Sequence, residues 1–300
     1  MFKTPILFLI FNRPDTTIKV FEAIRQIKPA FLYVAADGPR KDRSGEAEKC
    51  EQSRKLVIDN IDWPCEVKTL FRNENLGCGK AVSSAITWFF ENVEMGIILE
   101  DDCLPHSDFF LFCEELLKYH KNNKNVMFIS GDNFQDGKKR GNDSYYFSSY
   151  NHVWGWATWR RAWEKYDFTL ESISYEKFED ILSKYFQSEK VKESWRIVFN
   201  KMKSNMIDTW DFQLAFSIWA NNGICIIPNV NLISNIGFGE DATHTLAISE
   251  VANMPIFGIL PIKHPQNILI DKKADKYYFE NYISKSIYKR LISKIKRLFN

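Results

Sequence analysis

The sequence has 300 residues, 45% hydrophobic, 26% charged and 15% aromatic, with 24 Phe, 12 Tyr and 9 Trp. This is ordinary globular composition at a length that suits one large α/β domain, and it excludes a disordered chain or a collagen-like fibre. Lys and Arg number 40 against 38 Asp and Glu, a net charge of +2, so no chain-wide attraction to nucleic acid exists.

The charge is uneven. Between Tyr282 and Asn300 stand Lys285, Lys289, Arg290, Lys294, Lys296 and Arg297 with no acid, which leaves 34 basic against 38 acidic groups elsewhere. The longest apolar runs, such as Pro5 to Phe11, fall far short of the ~20 residues of a membrane span. The first residues lack the pattern of a secretory signal. The six cysteines show no C-x-x-C spacing, so reduced thiols, a cytoplasmic location and no zinc site are expected.

In chain order, Ile6 to Phe11 is a continuous apolar run, as in a strand buried on both faces. Pro14 opens a helix with Ile18, Phe21, Ile24 and Ile27 at helical spacing. Further strands are expected at 31–36, 67–71, 96–99 and 126–130, with helices at 46–59, 80–91 and 107–119 between them. This alternation predicts a mainly parallel sheet with right-handed crossovers. Residues 143–163, rich in Tyr, Ser and Trp, read as a binding loop entering a short helix. Residues 175–203 read as helical, 208–221 as another helix and 224–228 as a strand.

Each strand of the first half ends in a polar cluster: Asn12-Arg13, Asp37, Arg72 to Asn75, Glu100-Asp101-Asp102, and Asp132-Asn133. In an open α/β sheet the strand C-termini share an edge, and ligands bind outside it. Glu100-Asp101-Asp102 is a cluster of repelling carboxylates that suits Mg²⁺ or Mn²⁺ alongside substrate phosphate oxygens. Asn75 to Lys80 brings small residues to a helix start, where backbone N–H groups can meet an anion, without the spacing of a Walker A loop.

Glu-Asp-Asp after an apolar strand resembles the metal-binding motif of nucleotide-sugar glycosyltransferases of the GT-A fold. The likeness is to the family of animal N-acetylglucosaminyltransferase I and the protein-O-mannose enzyme. Pro5 to Arg13, Gly155-Trp156, Trp210-Asp211, Cys225 to Val230 and Gly237-Phe238-Gly239 keep that family's order, and His244 falls where it has a histidine. Asn75 to Gly79 and Gly155 to Trp159 are similar to bacterial surface-polysaccharide glycosyltransferases.

The resemblance implies a GT-A-like domain over 1–265, with a nucleotide-sugar half (1–133), an acceptor half (134–265) and a basic amphipathic extension (266–300). It implies an inverting, metal-dependent enzyme taking a UDP-linked donor to a glycan or lipid-linked saccharide. Arg13, Asp37, Asn75, Lys80, Glu100 and Asp101 would bind the donor, and Asp102 and His244 the metal (Mn²⁺ or Mg²⁺). Asp132, Asn133, Trp154 and Trp156 would bind the acceptor, and Asp211 would be the catalytic base. Asp208 is assigned the N-cap of the helix that carries Asp211.

Two alternatives stand beside this: a sugar-nucleotide pyrophosphorylase, disfavoured by a first loop without glycine, and a non-catalytic carbohydrate- or membrane-binding module. In the tail, Ile283, Ile287, Leu291, Ile295 and Leu298 recur at helical spacing among the basic residues. That pattern predicts an amphipathic helix either lying on anionic lipid or docked on the acidic body.

Overall fold

The computed structural model describes residues 1–238 and 251–284. In chain order the elements begin with β1 (Ile6–Ile10), α1 (Pro14–Ile27), β2 (Phe31–Ala36), α2 (Glu46–Asp59), β3 (Glu66–Phe71), α3 (Cys78–Asn92) and β4 (Met95–Glu100). Then come β5 (Cys103–Pro105), α4 (Ser107–Tyr119), β6 (Val126–Ser130), β7 (Tyr145–Ser148), β8 (Trp156–Trp159) and α5 (Arg160–Trp163). The remainder is α6 (Tyr175–Tyr185), α7 (Glu189–Lys203), α8 (Asp211–Ala220), β9 (Ile224–Pro228), β10 (Ile233–Asn235) and α9 (Lys272–Tyr278), which runs into a π-helical turn, Phe279–Ile283.

Eight strands form one sheet in the order β3-β2-β1-β4-β8-β6-β9-β7, and β10 pairs with β5 in a small antiparallel sheet. Strands β1 to β4 are mutually parallel, as are β6 and β9, while β8 and β7 run antiparallel to their neighbours. The fold is therefore the mixed α/β architecture, mainly parallel and flanked by helices, that the strand–helix rhythm predicts.

Both faces of the inner strands β1 and β2 are covered, which is why these strands are apolar throughout. Along β1, Leu7 and Leu9 enter a core shared with α3 and α6–α8, whereas Ile6, Phe8 and Ile10 enter one shared with α1, α2 and α4. Each such side chain contributes ~1.5–3 kcal/mol on burial.

Register places the strand ends in line. Leu70, Ala35, Leu9 and Glu100 are successive partners across β3, β2, β1 and β4. The loops beyond these residues must therefore open on one edge.

Residues 143–163 differ from their expected loop character, because they contain β7 and β8. These strands are four residues each and built of aromatic and small residues, so they lack the length that marks the parallel strands. Strand β8 inserts between β4 and β6, with Trp156 opposite both Ile98 and Ser130.

Gly155, just before β8, has φ +63°, and a Cβ there would lie 2.5 Å from Ile233 Cδ1 and 3.1 Å from Leu99 Cδ2. Gly155→Ala is expected to cost roughly 2–5 kcal/mol, from left-handed backbone plus overpacking. The loss should appear as a lower urea midpoint at unchanged slope. An unchanged midpoint would contradict this packing.

The start of the C-terminal extension is part of the body. Phe279 lies in the core, Ile283 packs against it, and Asp271 N–H donates to Phe147 O at 2.8 Å. Buried Asp275 accepts from Ser148 Oγ at 2.6 Å and from Ser149 N–H at 3.1 Å. Ile283, the first residue of the expected amphipathic stripe, thus faces protein. The six basic residues from Lys285 to Arg297 lie outside the described residues, as does His244. Among the described residues no helix is long and apolar enough to cross a membrane. All six cysteines are unpaired.

Candidate active site

A cleft of about 870 Å³ opens along the edge where β1 to β4 end. Its floor holds Ile10 and Phe11, Ala35 and Asp37, Arg72 and Asn75, and Glu100 to Asp102, each at or just beyond a strand end. The segments 207–212 and 235–238 form further walls. Four of the five expected polar clusters therefore converge.

The centre of the cleft is a charge cluster. Arg13 Nη2 donates to Asp101 Oδ1 at 2.6 Å and to Asp102 Oδ2 at 3.0 Å, and Phe11 N–H donates to Asp101 Oδ2 at 2.9 Å. Helix α1 starts directly after Arg13, whose carbonyl accepts from Thr17 N–H and Oγ1, so the helix start fixes the guanidinium's origin.

Burial works against the charge on Arg13, but Asp101 and Asp102 outweigh it and hold the guanidinium protonated. Burial raises the Asp101 carboxyl above the usual carboxylate range against the pull of Arg13. Burial, then Asp102 and Asp101, push Glu100 up as well. Three carboxylates meet one guanidinium here. The whole lining carries six carboxylates (Asp37, Glu100, Asp101, Asp102, Asp208, Asp211) against three guanidinium groups (Arg13, Arg40, Arg72).

This donor set can be tested against a divalent cation. Among the described residues no three His, Cys, Asp or Glu side chains converge as a ready metal cage. The carboxylate oxygens are nevertheless hard donors in local excess, and Mg²⁺-type ions commonly use one or two carboxylates completed by phosphate oxygens and water. The residues fit a cation of that shared kind.

Asp37 is held rather than free. Leu76 N–H donates to its Oδ2 at 3.0 Å and Gly38 N–H to its Oδ1 at 3.0 Å, tying the end of β2 to the loop after β3. Burial raises its pKa in spite of these bonds. Asn75 lines the cleft and donates to Gly38 O at 2.9 Å. Lys80 is exposed on α3 and does not line the cleft.

Asp211 stands in the cleft wall at the first position of α8, next to buried Trp210. Thr209 Oγ1 donates to Asp211 Oδ1, which also accepts from Phe212 N–H at 2.9 Å.

Asp208 departs from its expected role, because α8 begins at Asp211 with Trp210 at its N-cap. Instead Asp208 accepts from Cys78 N–H (Oδ2, 3.0 Å) and Gly79 N–H (Oδ1, 2.9 Å) at the start of α3. The anion expected at those glycines is a carboxylate of this same chain.

Three expected acceptor residues are not on the cleft wall. Trp156 is buried in the core, stacked on Phe128 (4.8 Å) and Trp210 (5.5 Å). Asn133 is buried, its side chain bonded to Pro228 O at 2.5 Å and to Gln135 N–H at 2.8 Å. Asp132 is buried, with burial raising its pKa strongly, beside His152, which burial pushes down to about 3. Trp154 does line the cleft, edge-on to Phe238 at 5.8 Å.

Arg40 is a cleft residue that the sequence pattern did not single out. Glu46, at the start of α2, is buried and accepts from Arg40 N–H at 2.7 Å and Nε at 3.0 Å, holding its guanidinium 5.7 Å over the Phe11 ring. An Arg just past the Asp37-Gly38-Pro39 turn was the available signal.

No protein-family model and no curated protein matches this chain. Among solved structures it is similar to a cytidylyltransferase from Leptospira borgpetersenii, with 18% identity over 64% of this chain and 71% of that one and a TM-score of 0.34. It is also similar to Staphylococcus aureus TarS 1–349 (11% identity, 75% of this chain and 58% of that one, TM-score 0.38). A third likeness is to the glycosyltransferase GlyE of Streptococcus pneumoniae (11% identity, 71% of this chain and 43% of that one, TM-score 0.33).

Proposed function

We propose that this chain is an inverting, metal-assisted glycosyltransferase that moves a sugar from a UDP-linked donor to a glycan or lipid-linked saccharide. The observation that carries the reading is the joint presence of Arg13, Glu100 to Asp102 and Asp211 on one cleft. In this reading residues 1–133 hold the donor, and residues 134–265 supply the acceptor side and the base. The basic residues 285–297 suit an anionic membrane surface on sequence grounds alone.

The step is a displacement at the sugar's anomeric carbon. The acceptor hydroxyl oxygen forms the new bond, its proton passes to Asp211, and the bond to the diphosphate oxygen breaks. Arg13 and Asp37 hold the nucleotide, and Trp154 offers a ring face to the acceptor sugar. Asp102 would hold a divalent ion, which would supply Lewis-acid stabilisation to the departing diphosphate. The acid excess of the cleft supports that requirement, since a diphosphate entering it without a cation meets like charge.

The first test is product identity. Purified protein with a panel of nucleotide sugars and a glycan acceptor should release UDP. Pyrophosphate from UTP and a sugar phosphate would point to a pyrophosphorylase instead, and neither product would point to a binding module.

The metal has a test apart from turnover. Glu100 and Asp101 bind protons more tightly in the folded than in the unfolded chain, so their unfavourable effect on stability grows as pH rises from the ordinary carboxylate range through their raised pKa values. A bound cation relieves that effect. Mn²⁺ should therefore raise Tm more at pH 8 than at pH 6, and Asp102→Ala should abolish the shift. Equal shifts at both pH values, or full activity in excess EDTA, would contradict the metal role.

A further inference from the structure

We propose that Asp208 is a positioning residue whose carboxylate, by capping α3, sets where Asp211 stands in the cleft. The inference rests on the reading of Asp211 as the base. Asp208 and Asp211 are joined by two residues, and both ends of this short strap are fixed. At one end the Asp208 carboxylate takes Cys78 and Gly79 N–H groups from a helix 130 residues away in the chain. At the other, Tyr166 Oη donates to Trp210 O at 3.2 Å, Gln213 Nε2 donates to Thr209 O at 2.8 Å, and Trp210 stacks on Trp156.

The sequence of the α3 start is what lets the strap approach. A Cβ at Gly77 would lie 2.7 Å from Asp208 Oδ2. At Gly79 it would lie 2.7 Å from Asp208 Oδ1 and 2.7 Å from Thr209 O. Only residues without a side chain admit the carboxylate and the strap backbone this closely. The first N–H groups of α3 have no carbonyl partner within the helix, and the Asp208 carboxylate satisfies two of them.

Helix α3 also carries Ala81, Val82 and Ala85 on the cleft wall. The cap therefore ties the base-bearing segment to the donor-side floor. Without it, Asp211 loses its fixed distance from the rest of the site.

The test compares three variants with wild type. Asp208→Ala removes the cap, and Gly79→Ala pushes Asp208 and the strap away from α3 without removing any carboxylate. Both should lower kcat by ~10- to 100-fold, the range that a misplacement of about 1 Å produces, with donor Kd within about twofold of wild type. Asp208→Asn keeps one acceptor oxygen and should fall between Asp208→Ala and wild type. Hydrogen exchange provides the second readout: the Cys78 and Gly79 amides should lose protection in Asp208→Ala while the sheet keeps its own.

Two results would overturn the proposal. One is unchanged protection at Cys78 and Gly79 in Asp208→Ala. The other is normal kcat in Gly79→Ala together with an Asp208→Asn as inactive as Asp211→Asn, which would make Asp208 itself the proton acceptor. Wild-type protein that releases no UDP would contradict the functional reading alone, and the exchange result would still decide the tether.

Discussion

Asp211→Asn is expected to lower kcat by ~10²–10⁴ while leaving donor affinity within a few-fold of wild type, because it removes a proton acceptor and little else. The side chains are nearly equal in size. Asn retains an oxygen for Thr209 Oγ1 and Phe212 N–H, so the strap and the first turn of α8 keep their contacts. An equal loss in kcat and in donor binding would mean that Asp211 holds the donor instead. Near-normal turnover would remove Asp211 from the reaction. The Asp101 and Asp102 variants cannot substitute for this test, because both carboxylates are bonded to Arg13 and their loss rearranges it.

Arg13→Met has the largest expected effect on stability. It leaves Asp101, whose side chain is 4% exposed, without its cation, and breaking a buried pair from one side costs about 3–5 kcal/mol. At ~2–4 °C per kcal/mol, unfolding should fall by roughly 6–20 °C.

Asp101 also sets the sign of the pH dependence. Its folded pKa already lies above the unfolded value, and removing the guanidinium raises it further. The deficit of the variant should therefore be largest near pH 8 and shrink as pH falls towards 4, where Asp101 is protonated in both proteins. Adding Asp101→Asn to Arg13→Met should recover much of the loss. A deficit that is the same at both pH values would show that packing, not charge, is what Arg13 contributes.

The parallel half of the fold was legible because β1, β2 and β4 are buried on both faces. Continuous apolar runs such as Ile6 to Phe11 then alternate with amphipathic helices, and both patterns are visible in sequence. The two antiparallel strands were not, since Tyr145–Ser148 and Trp156–Trp159 are four residues long and share their composition with binding loops. The same composition misassigned Trp156, whose ring fills the core while Trp154, two residues earlier, reaches the cleft.

For the site, strand-end placement located Arg13, Asp37 and Glu100 to Asp102, because parallel strands must end on one edge. It failed for Asp132 and Asn133. Both are buried after β6 on the far side of β8, where Asn133 is held by Pro228 O and by Asn231, which accepts from Asn133 N–H. In sequence Asp208 reads as a local cap, because caps are normally local. Its actual partner, the start of α3, is a contact that no sequence spacing encodes. Arg40 is hidden in the sequence for a related reason: Glu46 reads as one acid of a charged helix, yet it is buried and clamps that guanidinium.

A structure of the protein with UDP and Mn²⁺ tests most directly whether a nucleotide diphosphate binds between Arg13 and Asp102, with Asp211 facing the terminal phosphate that carries the sugar in the donor. The expected complex has the diphosphate beside Arg13 and Asp102, the uracil near Asp37 and an open approach to Asp211. A nucleotide bound away from Arg13, or with Asp211 screened from its terminal phosphate by the donor-side floor, would contradict it.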